Sequence, residues 1–172
     1  VYTREKFKQR YGQDFPYDRY KKEMSALFHQ REQNGELEMK PGIVELLAYL
    51  KEKNYKIGVA SSTRQEVVEQ ELLHAGLRGW FDDIVGGDTI QRSKPEPDIY
   101  LLACKSLGIM PEEAYGIEDS YNGVLAVYRA GMHPIMVPDL LPPNAEMKAL
   151  CEVICNSLSE VKEFLKNIQK SI

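Results

Sequence analysis

The chain has 172 residues, which is long enough for a domain with its own hydrophobic core. Its formal net charge of -4 argues against electrostatic binding to nucleic acid or to an anionic membrane, so an anionic ligand would have to be held by local groups. No apolar stretch approaches the roughly 20 residues that cross a bilayer, and we expect a cytoplasmic monomer with no nucleic-acid or membrane partner.

The first part of the chain predicts helices and no strand. Up to about residue 54 it is charged and rich in tyrosine, and its apolar residues have helical spacing. From Tyr55 onward, short β-branched runs alternate with amphipathic stretches, which is typical of a parallel sheet with crossover helices. We therefore divide the chain into a helical segment, residues 1–40, and an α/β domain, residues 41–172.

Five short runs predict the strands of that sheet, and each is apolar enough to be buried on both faces. They are Lys56–Ala60, Asp83–Val85, Ala114–Ile117, Pro134–Val137 and Val153–Cys155. Helices fill the intervals between them. Two pairs have the spacing of a capping box at a helix N-terminus, namely Thr63 with Glu66 and Ser157 with Glu160. Three glycines offer the left-handed residue at which helices end, namely Gly76, Gly108 and Gly131.

The first group of polar residues follows the predicted strand that ends at Ala60. Ser61, Ser62 and Thr63 place hydroxyls and free backbone N–H groups at the start of the next helix. Such a terminus attracts phosphate through its unpaired N–H groups and through the helix dipole. The alternative is that Ser62 or Thr63 is simply the N-cap of the helix, which is a common role for these residues. For this segment alone, both interpretations stay open.

The second group is a lysine held between prolines. Lys94 lies in the segment Ser93–Tyr100, where Pro95 and Pro97 restrict the backbone. This pre-orientation is useful if the ammonium group points inward at a charged ligand. The alternative is an ordinary surface lysine in contact with solvent.

The third group is a pair of adjacent carboxylates at the end of a hydrophobic strand. Glu118 and Asp119 follow Ile117 directly, and two such charges repel each other in a closed site unless a hard divalent cation binds them. Oxygen ligands of this kind suit Mg²⁺. The alternative is that Asp119 caps the next helix while Glu118 is solvated. Because parallel strands present their carboxyl ends at one edge, all three groups are expected to meet in one cleft.

In order and spacing, these three groups resemble the second, third and fourth motifs of the haloacid dehalogenase superfamily. The strongest matches are Val59–Ser62, Ser93–Asp98 and Gly116–Ser120. Within this superfamily, the sequence is most similar to the subgroup that contains β-phosphoglucomutase and small sugar phosphatases. The resemblance covers essentially the whole chain and implies a Rossmann-like parallel sheet, with residues 1–40 as part of a helical cap.

The resemblance also implies a role for each matching residue. Ser61 would donate a hydrogen bond to the transferring phosphoryl group, beside the backbone N–H of Ser62, in a loop that continues to Thr63. Lys94 would neutralise the charge of that group. Asp119 would hold Mg²⁺ together with Glu118, which would act directly or through water. We therefore expect Ser61 and Lys94 to be catalytic, Ser61, Ser62, Thr63 and Lys94 to bind substrate, and Glu118 and Asp119 to bind metal.

One motif of the superfamily is absent from this sequence. Members begin with a strand that ends in Asp-x-Asp, whose first aspartate is the nucleophile and whose second is the acid/base. Neither Asp18 nor the pair Asp82 and Asp83 follows a buried N-terminal strand. In the family the missing strand is the central one, between the strands that end at Ala60 and Ile117. We therefore expect a gap between those two strands, and we expect that a preceding segment is lacking from this chain.

The predicted function is Mg²⁺-dependent phosphatase activity on a small phosphorylated metabolite, through an aspartyl-phosphate whose nucleophile lies in the absent segment. The chain by itself is expected to be inactive. A phosphomutase similar to β-phosphoglucomutase shares every motif seen here and stays an alternative. A noncatalytic phosphate-binding relative is a second alternative, and an Asp-x-Asp in the upstream coding sequence would distinguish the enzyme from the binder.

Several polar residues are not assigned to chemistry. His29, His74 and His133 have no carboxylate or serine at the separation of a catalytic triad, so we expect none of them to be catalytic. Asp139 lies in a proline-rich stretch and is expected to be a turn residue near the edge of the sheet.

Overall fold

A computed structural model describes residues 2–35 and 39–169 of the chain. It contains two compact units, residues 1–39 and residues 40–172. In the first unit, α1 (Tyr2–Tyr11) and α2 (Tyr17–Gln33) pack around aromatic rings. The Phe7 ring centroid lies 4.9 Å from that of Tyr20 and 5.3 Å from that of Phe15. This unit therefore consists of helices joined by aromatic packing.

The second unit alternates strands and helices, which makes it an α/β domain. Its strands are β1 (Gly58–Ala60), β2 (Asp83–Val85), β3 (Tyr115–Glu118), β4 (His133–Met136) and β5 (Val153–Ile154). Its α-helices are α3 (Ile43–Glu52), α4 (Gln65–His74), α5 (Asp98–Leu107), α6 (Tyr121–Arg129), α7 (Ala145–Leu150) and α8 (Leu158–Gln169). Short 3₁₀ turns cover Arg78–Trp80 and Pro111–Glu113. All five predicted strands are confirmed; Asp83–Val85 matches at both ends, and the other four have ends shifted by one or two residues.

The strands form two parallel sheet pieces. In one piece β1 pairs with β2, so that Val59 is in register with Ile84. In the other the order is β3-β4-β5, with Ile117 in register with Ile135. Every pairing is parallel, as expected for strands connected by crossover helices.

A gap separates the two pieces. Within the described residues, β1 pairs with β2 alone and β3 pairs with β4 alone, so β1 and β3 are not hydrogen-bonded to each other. Both strands instead line a cavity of about 390 Å³, with Gly58 and Ala60 from β1 and Gly116 and Ile117 from β3. Ile117, on the edge strand β3, is accordingly 37% exposed. The expected gap between these two strands is therefore confirmed.

Helices pack on the sheet pieces through separate apolar clusters. One cluster joins α3 and α8 to β4 through Leu46, Val161 and Ile135. A second joins α5 and α6 to β2 through residues such as Ile99 and Val127, which are completely buried. These clusters hold β4 and β2 against their helices. In the described residues, no helix is both long and apolar enough to cross a membrane.

The helix-end signals are confirmed in most cases. The three predicted glycines have positive φ angles just after α4, α5 and α6, and the Ser157 hydroxyl accepts a hydrogen bond from the Glu160 N–H at the start of α8. The capping box at α4 is wrong. Its N-cap is Arg64, without a side-chain cap, and the Gln65 N–H is bound by the carboxylate of Asp88 at 2.8 Å. Asp88, from a loop distant in sequence, therefore accepts a backbone N–H at the start of α4, which is the role expected of Thr63.

Candidate active site

A cavity of about 330 Å³ lies at the carboxyl ends of β1, β3 and β4. It is lined by Lys40, Ala60, Ser61, Ser62, Lys94, Ile117, Glu118, Asp119, Val137 and Leu158. Five of the six predicted site residues, all except Thr63, are thus brought together from three separate segments of the chain. The edge of the sheet that they share is the one at which parallel α/β folds bind ligands.

The loop after β1 presents Ser61 with its hydroxyl proton available. The Ser61 Oγ accepts a hydrogen bond from the Thr63 N–H at 3.2 Å, so its own O–H can donate into the cavity. Thr63 is outside the cavity lining, and its carbonyl accepts the Gly87 N–H at 2.7 Å. A role for Thr63 in substrate binding therefore stays a prediction, while its backbone clearly braces the loop.

Two glycines after β2, Gly86 and Gly87, allow the backbone of the Ser61 loop to pack closely against the segment that follows β2. A Cβ added to Gly87 would lie 2.3 Å from the Ser62 carbonyl oxygen, and one added to Gly86 would lie 2.2 Å from the Gln65 nitrogen. No side chain fits at either position without moving the loop. The close approach of two backbones thus fixes Ser61 and Ser62 at the cavity, and neither serine is needed as a helix cap because that position belongs to Arg64.

Lys94 is held inside the site and is not a surface lysine. Its side chain is only 13% exposed, and its Nζ donates hydrogen bonds to the Ala60 carbonyl at 3.0 Å and to a Glu118 carboxylate oxygen at 2.5 Å. The Lys94 loop is anchored by Arg129, whose guanidinium donates to the Pro95 carbonyl at 3.0 Å. Lys94 therefore connects the carboxyl end of β1 to that of β3 across the gap.

Glu118 is a buried carboxylate with several donors. It is 9% exposed, and besides Lys94 it accepts a hydrogen bond from the Tyr100 hydroxyl. Burial, and then the negative charge of Glu118, raise the pKa of Tyr100, which keeps its hydroxyl protonated as a donor. A Cβ on Gly123 would lie 1.8 Å from Glu118 Oε2, so glycine is required beneath the carboxylate.

Asp119 faces the cavity with an exposed carboxylate. Within the described residues this carboxylate has no hydrogen-bond or ion-pair partner, although its charge adds to the raised pKa of Tyr100. The N-cap of α6 is Ser120, whose hydroxyl accepts the Gly123 N–H at 3.1 Å. The alternative in which Asp119 caps the helix and Glu118 is solvated is therefore wrong.

Two residues of the site had no assigned role in the sequence. Tyr100 lies six residues after Lys94, on the buried face of α5. No sequence motif marks it, because only the tertiary packing of α5 brings it to Glu118. Lys40 lines the cavity and forms an ion pair with Asp139, with 3.2 Å between Nζ and Oδ1. Asp139, predicted as a turn residue, thus also holds a cation at the cavity.

Comparisons with known proteins agree on one family. A family model described as haloacid dehalogenase-like hydrolase matches residues 2–137. The phosphorylated carbohydrates phosphatase of Thermotoga maritima is 35% identical over 136 residues, which cover 79% of this chain and 62% of that protein. The chain spans about half the length of the curated relatives that it matches.

Solved structures show the same similarity. The crystal structure of CbbY from Rhodobacter sphaeroides in complex with phosphate matches with a TM-score of 0.73 and 32% identity, over 86% of this chain and 67% of that one. The β-phosphoglucomutase of Clostridium difficile matches with a TM-score of 0.65 and 30% identity, over 75% of this chain and 55% of that one. The domain therefore has the Rossmann-like fold of these proteins.

Proposed function

The chain belongs to the haloacid dehalogenase-like hydrolases, and we propose that it forms the core of a magnesium-dependent phosphatase for small phosphorylated sugars. One observation carries the proposal: hydroxyls, a buried lysine and two carboxylates line one cavity at the carboxyl ends of the strands. Relatives with phosphatase and phosphomutase names support phosphoryl transfer, and the name of the Thermotoga relative supports a carbohydrate as the phosphorylated group. The cytoplasmic location and the monomeric state stay predictions.

The cavity supplies the electrostatic part of phosphoryl transfer. The Ser61 hydroxyl and the Ser62 N–H donate to phosphoryl oxygens. Lys94 uses two of its three N–H donors on Ala60 and Glu118, which leaves one for the ligand. Phosphoryl transfer depends mainly on positioning and on charge stabilisation, so donors held rigidly in a partly buried site suit it.

The two adjacent carboxylates fit part of a magnesium site. Asp119 offers an exposed carboxylate to the cavity, and we assign the metal to it first, with Glu118 beside it directly or through water. The described residues contain no group of three or more acidic, histidine or cysteine side chains that could hold a metal, so further ligands must come from elsewhere. When bound, Mg²⁺ would offset the negative charge of the phosphoryl group.

We place the nucleophile on a strand that occupies the gap between β1 and β3. In the part of the chain that the structure describes, both of these strands have an unpaired edge towards the cavity between them, and a strand there would pair with each at about 4.8 Å. An aspartate at its carboxyl end would enter the site beside Lys94. Its oxygen would attack phosphorus as the bond to the sugar oxygen breaks, a second aspartate would protonate that oxygen, and water would hydrolyse the aspartyl-phosphate. The 172-residue chain alone is therefore proposed to be inactive.

A phosphomutase is a second candidate function. The similarity to β-phosphoglucomutase favours it, because a mutase uses the same groups and differs in returning the phosphoryl group to a sugar instead of to water. Free phosphate measured against rearranged sugar phosphate in the same assay separates the two activities.

The test is a screen of phosphorylated sugars and other small phosphate esters with the product of the complete coding sequence. We expect phosphate release that needs Mg²⁺ and is lost with a chelator. Lys94→Met should lower turnover strongly while magnesium still binds. Activity equal to wild type in that variant would remove Lys94 from the mechanism, and a complete product without Asp-x-Asp and without turnover would favour the noncatalytic binder.

A further inference from the structure

One cation of the active-site cavity, Lys40, has no role in the chemistry proposed above. Lys40 and Lys94 are positive and Glu118 and Asp119 are negative, so their formal charges cancel. Lys94 and Glu118 neutralise each other in a contact in which both are nearly buried, at 13% and 8% exposure. Of these four side chains, Asp119 and Lys40 are the two that are not paired with another charge of the cavity lining, while Lys94 keeps one N–H for a ligand. Without Lys40, the side chains of the lining would carry a net negative charge, which disfavours an anionic ligand.

Lys40 is held at the cavity by an exposed ion pair with Asp139, which another anion can replace. Its Nζ lies 3.2 Å from Asp139 Oδ1, and the two side chains are 46% and 52% exposed. An ion pair this exposed contributes little to stability because water and salt screen it. A phosphate oxygen is an anionic acceptor like the Asp139 carboxylate, and can therefore replace it on the ammonium group.

The segment that carries Asp139 has a second anchor. Tyr121, at the start of α6, donates a hydrogen bond from its hydroxyl to the Pro142 carbonyl. Asp139 lies three residues before Pro142, in a stretch stiffened by prolines at both ends. This second anchor holds the segment of Asp139 independently of the ion pair with Lys40.

We propose that Lys40 is a second ligand-binding cation of this site and that Asp139 is its placeholder. When the cavity holds no anion, Asp139 keeps the Lys40 ammonium group at the cavity wall. A phosphorylated ligand displaces Asp139 and takes a hydrogen bond from Lys40, in addition to the one that Lys94 has left to give. This inference rests on the proposed function, since it takes a phosphate ester as the natural ligand.

The experiment is calorimetric titration of inorganic phosphate into the product of the complete coding sequence, with Mg²⁺ present. Lys40→Met should raise the Kd for phosphate about threefold to tenfold, as expected for one partly exposed, charge-assisted contact. Lys40→Arg should largely restore binding. Asp139→Asn should lower the Kd, because it removes the competitor for Lys40, and should have no effect when combined with Lys40→Met.

The matched control is Lys51→Met. Lys51 also forms an ion pair, with Asp82 at 2.8 Å, but at the amino-terminal edge of β1 and β2. This variant removes the same charge and should leave the Kd for phosphate unchanged.

Equal Kd values for Lys40→Met and Lys51→Met would overturn the inference, as would weaker phosphate binding in Asp139→Asn or no phosphate binding by the wild-type protein. Turnover of phosphate esters measured in the same proteins separates this result from the proposed function. If turnover occurs and Lys40 does not affect the Kd, the inference alone fails. If phosphate binds through Lys40 and no ester is turned over, the inference holds and the proposed function fails.

Discussion

Glu118 is the residue around which the site is built. A carboxylate at 9% exposure is unfavourable unless it is paired and hydrogen-bonded, and here Lys94 and Tyr100 supply both. The same contacts hold the Lys94 ammonium group at the cavity. Structure and proposed chemistry are therefore linked at one carboxylate, and removing any of its partners should be felt in stability as well as in activity.

Tyr100→Phe tests that link at the level of one hydrogen bond. It leaves Glu118 with one donor fewer in a buried site, and we expect the free energy of unfolding to fall by about 1.5 to 3 kcal/mol. Denaturant titration measures this change. Tyr128→Phe, on the exposed face of α6, removes the same hydroxyl from a side chain that is 54% exposed and should change stability little. Equal effects of the two variants would mean that the bond between Tyr100 and Glu118 is unimportant.

Asp119→Asn tests the metal assignment. It removes one oxygen anion from the proposed magnesium site, so kcat/KM should fall by about 100-fold or more, roughly 3 kcal/mol, and more Mg²⁺ should be needed for half-maximal rate. Magnesium titrations of the rate with the complete product measure both effects. Glu146→Gln, which removes a charge from an exposed position on α7, is the control. An unchanged magnesium requirement in Asp119→Asn would exclude Asp119 as a ligand.

The edge of the sheet opposite the cavity contains a pair that responds to pH. At the start of β4, the His133 Nδ1 lies 2.8 Å from a Glu152 carboxylate oxygen and the Nε2 lies 2.9 Å from the Glu112 carbonyl oxygen. Both partners are acceptors, so the ring satisfies both contacts only when each nitrogen has a proton. The hydrogen bond to Glu152 is the main reason that the pKa of His133 is raised.

This pair predicts the sign of a pH effect on stability. Because the pKa of His133 is raised above its usual value of about 6.5, its stabilisation is complete below that pH and is lost as the pH rises through the folded pKa. The contribution should be below about 1 kcal/mol, since His133 is 38% exposed and the pair is screened. The free energy of unfolding, measured across this window, should decline with pH in wild type and less in Glu152→Gln. Identical slopes would contradict the assignment.

Among the helices and strands, the features that depend on local sequence could be predicted, and those that depend on contacts between distant segments could not. Short β-branched runs and left-handed glycines are local, so the strands and the helix ends at Gly76, Gly108 and Gly131 were predictable. The cap of α4 was not, because Asp88 reaches it from another loop.

The same distinction holds within the site. The polar groups after β1 and β3 were predictable because parallel sheets bind ligands at the carboxyl ends of their strands. The resemblance to a known family added the expected role of each residue. Tyr100 and Lys40 were missed because only tertiary packing places them at Glu118 and at the cavity.

The main structural feature of the α/β domain is the cavity that separates its two sheet pieces. An α/β sheet normally pairs every inner strand on both sides, because buried backbone N–H and C=O groups need partners. Here β1 and β3 each have one paired side within the described residues, and the donors of the proposed active site lie where the two free edges end. A strand in the gap would complete the sheet and bring the nucleophile to the site at the same time.

The most direct test is phosphate release from sugar phosphates with Mg²⁺, measured for the product of the complete coding sequence and for the 172-residue chain in the same assay. We expect turnover by the complete product and none by the 172-residue chain, because in the described residues no strand lies between β1 and β3 to carry a nucleophilic aspartate into the site. Turnover by the 172-residue chain would place the nucleophile within these residues and contradict the proposed strand in the gap.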